Sequence, residues 1–203
     1  MKAYEYITSK QTQWALNRGI PLIGSKGDKG RPAYTSELNQ NLFEPLSLDT
    51  RKSFEQGDGG EVSGNPAKIQ AVHSSSALGV NVFQYWQSIE QASVIASACG
   101  FCRKGNAISK KIVFEDKYPV DDDSGKFPIP PNIDVVFHNS DSSQFKRFAV
   151  ECKFSEAYSS QKHNGLKPAY LELTKLWSDI PKLREFAESI CPNETLSIFI
   201  PPN

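Results

Sequence analysis

The stretch Pro131-Asn-Ile-Asp134-Val-Val-Phe137, a polar connection, and then Phe148-Ala-Val-Glu151-Cys-Lys153-Phe154 decides how this chain is read. Strand alternation puts Phe148, Val150, Cys152 and Phe154 on one face and Glu151 with Lys153 on the other. In the first run Ile133, Val135 and Phe137 face one way and Asp134 the other. If the two runs pair as a hairpin with their charged faces together, Asp134, Glu151 and Lys153 converge on one patch. Two carboxylates there make an oxygen-rich site suited to a hard divalent cation such as Mg²⁺, which takes one or two carboxylates plus waters and substrate phosphate. A lysine beside it would bind the phosphate or position an activated water.

Working outward, Lys110 to Val120 reads as a preceding strand, with Ile112 and Phe114 on one side and Val113, Glu115 and Lys117 on the other. Glu115 is thus a further acid for the same cleft. Upstream, His73-Ser-Ser-Ser offers helix-start chemistry. Ala77 to Ala98 follows as one long helix, with Leu78, Val82, Tyr85, Ile89 and Ala92 expected inward at three- and four-residue steps. Asn81 on this helix is a candidate polar contact with the site. Downstream, Tyr170 to Ile190 resumes helical spacing through Leu173, Leu176, Trp177, Ile180, Leu183 and Phe186, with Pro181 opening a second helix. Thr195 to Ile200 reads as a closing strand.

Asp134, sixteen intervening residues, and Glu151-Cys152-Lys153 in an apolar strand resemble the motif of the PD-(D/E)xK nuclease superfamily. Its usual proline is represented only by Pro131, three residues before the Asp. The run from His73 to Phe83 is also similar to a segment of a poorly characterised restriction-endonuclease branch. The resemblance covers roughly residues 70 to 200. It implies an α/β fold with a restriction-endonuclease-like core: helix, three strands, helix, strand, with a central mixed sheet flanked by helices. The element order read from periodicity agrees. The resemblance further implies Glu90 as a helix-borne acid and the Cys152 backbone carbonyl as a further metal ligand. The implied activity is that of a Mg²⁺-dependent nuclease, with Mn²⁺ able to substitute. In it Asp134 and Glu151 hold the metal, Lys153 assists, and the substrate is double-stranded DNA.

Length and composition bound the alternatives. At 203 residues with a formal net charge of zero, the chain suits one sizeable core and carries no global basic field. A non-specific DNA coat protein is disfavoured, whereas a nuclease needs only a local basic rim. Met1 to Lys10 lacks an apolar signal core and no run approaches a transmembrane length, so a cytoplasmic chain is expected. Four cysteines suggest a reduced compartment rather than a disulfide scaffold. Cys99 and Cys102 form a C-x-x-C that closes a helix and lacks a second ligand pair, which argues against both zinc and redox chemistry.

Residues 1–66 are expected as an irregular extension packed on or near a core domain spanning 67–203. Lys10 to Ile20 reads as a short helix with Trp14 and Ala15 inward. Gly24 to Gly30 lacks the closing Gly-Lys-Ser/Thr of a phosphate-binding loop, although Lys26, Lys29 and Arg31 are suited to phosphate contacts. Gln56 to Gly64 is turn-rich and expected to be exposed. Asp121-Asp-Asp-Ser-Gly125 lacks the spaced ligands of a Ca²⁺ loop and reads as an acidic turn. Lys162, His163 and Lys167 are candidate DNA-backbone contacts. Cutting both strands of a duplex suggests a homodimer. Two rivals remain: a catalytically inactive nucleic-acid-binding or assembly module on the same fold, and an unrelated α/β protein. In the latter Glu151 and Lys153 would be a mere surface ion pair, exposed and far from Asp134.

Overall fold

The computed structural model describes residues 3–24, 33–57, 60–120, 127, 130–154 and 168–189. In chain order the elements are α1 (Ala3–Asn17), β1 (Leu22–Ile23), β2 (Tyr34–Thr35), α2 (Leu48–Gln56), α3 (Ser75–Ser88), α4 (Ala92–Ala98), β3 (Ser109–Lys117), β4 (Asn132–Asn139), β5 (Arg147–Val150), α5 (Thr174–Trp177) and α6 (Pro181–Ser189). Among the described residues no helix is long and apolar enough to cross a membrane.

The chain divides into two compact units, one of residues 1–117 with 132–158 and one of residues 118–131 with 159–203. In the first, β3, β4 and β5 form an antiparallel sheet with β4 in the middle. Its register pairs Phe114 with Val135, Ile112 with Phe137, and Val135 with Val150. Cross-strand partners share a face, so Ile112, Phe114, Val135, Phe137, Phe148 and Val150 form one apolar surface. Against it pack Phe54 of α2, Val80 and Phe83 of α3, and Ala92 and Ala96 of α4. Phe137 is fully buried, edge-on to Phe83 and Phe101 at centroid distances of 5.7 and 5.6 Å. Gly79 permits the close approach of α3, because a β-carbon there would lie 3.2 Å from Cys152 Sγ and 3.4 Å from Val135 Cγ2. The architecture is therefore mixed α/β. The closing strand expected over 195–200, which would make the sheet mixed, lies outside the described residues.

Several expectations are corrected. The long helix is broken into α3 and α4, with Glu90 at φ +58° between them and no glycine or proline at the break. The inward face of α3 is also different: Ala77, Val80, Phe83 and Gln84 are buried, whereas Val82, Tyr85 and Ile89 are exposed. This helix is apolar on two faces, so spacing alone selects no single one. In α1, Ala15 is buried as expected but Trp14 is exposed, with Arg18 stacked over its ring at 5.2 Å. The helix begins at Ala3, well before Lys10. Helix α2 carries few apolar residues and went unforeseen; Ser47 caps it by accepting from the Thr50 amide, and Phe54 stacks on Phe114 at 6.0 Å.

In the second unit α6 does begin at Pro181. Leu173, Trp177 and Ala187 are buried there, whereas Ile180, Leu183 and Phe186 are exposed. Trp177 Nε1 donates to the Tyr170 carbonyl at 2.7 Å, and Phe127 packs on Tyr170 at 4.7 Å.

Candidate active site

The sheet register assembles the acidic residues. Phe114 pairs with Val135 and Asp116 with Ile133, so Glu115 stands opposite Asp134. Continuing one step beyond the Val135–Val150 pair brings Glu151 to the other side of Asp134. Three carboxylate residues thus follow one row, from β3 through β4 to the residue just past β5, a like-charge arrangement that costs stability and is avoided in an ordinary sheet. β5 ends at Val150, one residue before this row, and the Cys152 amide donates to Asp134 Oδ2 at 2.6 Å, tying the two motif segments together.

Exposure alternates beyond Val150 as the strand pattern requires. Glu151 and Lys153 are exposed and Cys152 is buried in the core. Lys153 Nζ donates to Glu151 Oε1 at 2.5 Å, with the two side chains 51% and 56% exposed. The surface-pair rival foresaw that exposure. Its second requirement, distance from Asp134, is not met.

Glu115 has an unusual backbone. At φ +51° it sits in the left-handed region, which a non-glycine residue rarely enters and seldom without a local reason. Gly57, at the end of α2, makes the space, since a β-carbon on it would lie 3.2 Å from Glu115 Cβ. The Asn132 side chain hydrogen-bonds Glu115. Asn132 Oδ1 is buried without a hydrogen-bond partner.

Electrostatics reflect the crowding. Burial, then the Asp134 and Glu61 carboxylates, push Glu115 up to about 7, against the lowering effect of Asn132. Asp134 is also raised, by burial first and by Glu151, opposed by the Cys152 amide and by Lys153. The Cys152 thiol is driven up to about 11 by burial and then by Asp134, which favours the neutral thiol near pH 7.

Glu61 is the residue that sequence reasoning missed. It lies in the turn-rich stretch expected to be exposed, yet its side chain is only 18% exposed. Ser76 Oγ donates to its Oε2 at 3.1 Å and Lys68 Nζ lies 3.5 Å from its Oε1. It bears on both Glu115 and Asp134. A charged residue among glycines in a loop is the one signal that could have marked it.

Other candidates stand elsewhere. Glu90 lies in the turn after α3, at the end where Gln87 Oε1 accepts from the Ile112 amide. Ile112 is three residues along β3 from Glu115, about 10 Å at the usual strand rise. Glu90 is therefore not brought to the carboxylate row. Asn81 is occupied otherwise: its Oδ1 accepts from the Phe43 amide at 2.6 Å and its Nδ2 donates to the Asn41 carbonyl at 3.0 Å. It clasps the segment before α2, as Gln84 does through Ser47 and Pro45. Cys99 and Cys102 are free thiols, and burial raises that of Cys99. Lys26, Lys29, Arg31, the 121–125 acidic turn, Lys162, His163 and Lys167 lie outside the described residues.

Among the described residues no three His, Cys, Asp or Glu side chains form a ready cage. Mg²⁺ does not need one, since one or two carboxylates with waters and phosphate suffice. Hard oxygen donors, half-buried acids raised by burial and by one another's charge, and the orphaned Asn132 oxygen all fit a divalent cation.

The Glu115 shift has a measurable consequence. The folded chain holds this proton more tightly than the unfolded chain, so its contribution is complete below the ordinary value of 4.5 and is lost as pH rises through about 7. In metal-free buffer, stability should fall across that window. Glu115→Gln should reduce the fall by on the order of 1 kcal/mol after discounting for solvent screening. Urea unfolding at the two ends of the window measures it; an unchanged slope in the variant would refute the coupling.

A family model described as restriction endonuclease associating with ARP matches residues 8–190. No curated protein and no solved structure matches the chain. The family match spans most of the sequence, and the chain belongs to this family of restriction endonucleases.

Proposed function

We propose that the chain is a divalent-metal-dependent DNA endonuclease of PD-(D/E)xK type. The observation that carries this reading is the row Glu115, Asp134, Glu151, tied by the Cys152 amide and flanked by Lys153. Asp134 and Glu151 would hold Mg²⁺ or Mn²⁺, with the Cys152 carbonyl as a further ligand. Bound there, the cation supplies a Lewis acid for the phosphodiester and lowers the pKa of an attacking water. Lys153 presents an ammonium where negative charge develops on the phosphate oxygens, or holds the water by a hydrogen bond. Glu115 and Glu61 add negative charge that strengthens cation binding. The buried Cys152 side chain fixes the strand end against α3, which sets the direction of its neighbours Glu151 and Lys153.

Cation binding is testable apart from cleavage. A ligand that binds only the folded state raises its stability by about 2.7 kcal/mol at a hundred times its Kd. Millimolar Mg²⁺ should therefore raise the melting temperature of the wild-type chain and leave Asp134→Asn unmoved. Equal shifts in both proteins would place the cation elsewhere.

A further inference from the structure

The first unit contains a cavity of about 800 Å³, within the size range of small-molecule sites. Lys10, Gln11, Trp14, Arg18, Phe43 and Phe154 contribute to its wall. Nothing in the phosphodiester chemistry of the carboxylate row uses it. Its described lining contains two cations and no carboxylate, with three aromatic rings and side-chain amides. Cations without counter-acids favour an anion, and aromatic faces favour a flat ring.

One detail indicates that the wall is built for a ligand rather than left over from core formation. Phe43 is 79% exposed although its backbone amide is held by Asn81 at 2.6 Å, so a large ring is pinned where it buries little.

We propose that this cavity binds a nucleotide, with the base against Trp14, Phe43 and Phe154 and its phosphate at Lys10 and Arg18. Phe154 directly follows Lys153 in sequence, and consecutive Cα atoms lie about 3.8 Å apart. One strand end therefore serves both the carboxylate row and the cavity. On the nuclease reading, on which this part rests, the occupant is a nucleotide of the substrate drawn out of the stack. A free nucleotide has the same chemistry.

The test titrates the full chain with the four deoxynucleoside monophosphates by calorimetry. In parallel, the Lys153→Ala chain is mixed with duplex DNA carrying 2-aminopurine, whose fluorescence rises on unstacking. Saturable monophosphate binding is expected. Trp14→Ala and Arg18→Ala should each weaken it by roughly tenfold, with Trp14→Phe retaining most of it. Alongside monophosphate binding, a fluorescence rise that Trp14→Ala abolishes assigns the occupant to DNA; monophosphate binding without the rise assigns it to free nucleotide, and either supports the site. Absence of monophosphate binding, or equal binding by folded Trp14→Ala and Arg18→Ala chains, overturns it. Because monophosphate binding needs no cleavage, a chain that binds nucleotides but does not cut would disprove the nuclease reading and spare the pocket.

Discussion

Asp134→Asn should abolish metal-dependent DNA cleavage, a loss of about 10³-fold or more, because a metal site supplies several kcal/mol of transition-state stabilisation. The substitution is chosen to leave the fold alone. Asparagine keeps an oxygen able to accept from the Cys152 amide, the 2.6 Å bond that closes the motif. What disappears is the charge at the centre of the row, between Glu115 and Glu151. Initial rates in Mg²⁺ compared with wild type, with circular dichroism to certify folding, measure the effect. A folded Asn variant that cuts within about tenfold of wild type would remove Asp134 from the chemistry.

The largest effect on stability should come from Phe137→Ala. Phe137 is wholly buried on the central strand, pairs with Ile112 and Phe148, and meets Phe83 and Phe101 edge-on. Truncating such a ring costs about 3–5 kcal/mol through lost transfer energy and the cavity left behind. The aromatic contacts add to that. For a domain of ordinary marginal stability this is a large fraction of the total. Denaturant unfolding measures it, and a loss below about 1 kcal/mol would mean that the core does not centre on this strand.

These two residues also show what the sequence made legible. Alternation in Phe148 to Phe154 gave the correct faces, because a half-buried strand leaves a period-two pattern in its residues, whereas in β4 Val135, Val136 and Phe137 are all buried and only the register fixes their faces. Pro181 marked a helix start for the equally local reason that its missing amide is no loss there. Helix α3 was misread because Val82, Tyr85 and Ile89 repeat at helical spacing as well as Ala77, Val80 and Phe83 do. Only the tertiary contact, Gly79 against Cys152 and Val135, selects between the faces.

Within the site, Asp134, Glu151 and Lys153 were legible because they interrupt apolar strands. Glu115 was legible as a strand acid, but its left-handed backbone was not, since that conformation depends on Gly57 from another element. Glu61 was hidden for the opposite reason: it belongs to a glycine-rich turn with no periodicity. Its role arises from contacts with Ser76 and Lys68 that no local pattern encodes. Asn81 is a candidate site contact because a polar side chain on an apolar helix invites a functional reading. Its two backbone bonds to residues 41 and 43 instead fix the wall of the neighbouring cavity.

The most direct measurement is digestion of supercoiled plasmid and linear duplex DNA by the purified chain with Mg²⁺, with Mn²⁺ and with chelator, beside Lys153→Ala. The expected result is strand cleavage by the wild-type chain in either metal, none with chelator, and at least about a hundredfold slower cleavage by the variant. Cleavage that persists in chelator, or at the same rate in Lys153→Ala, would contradict the account.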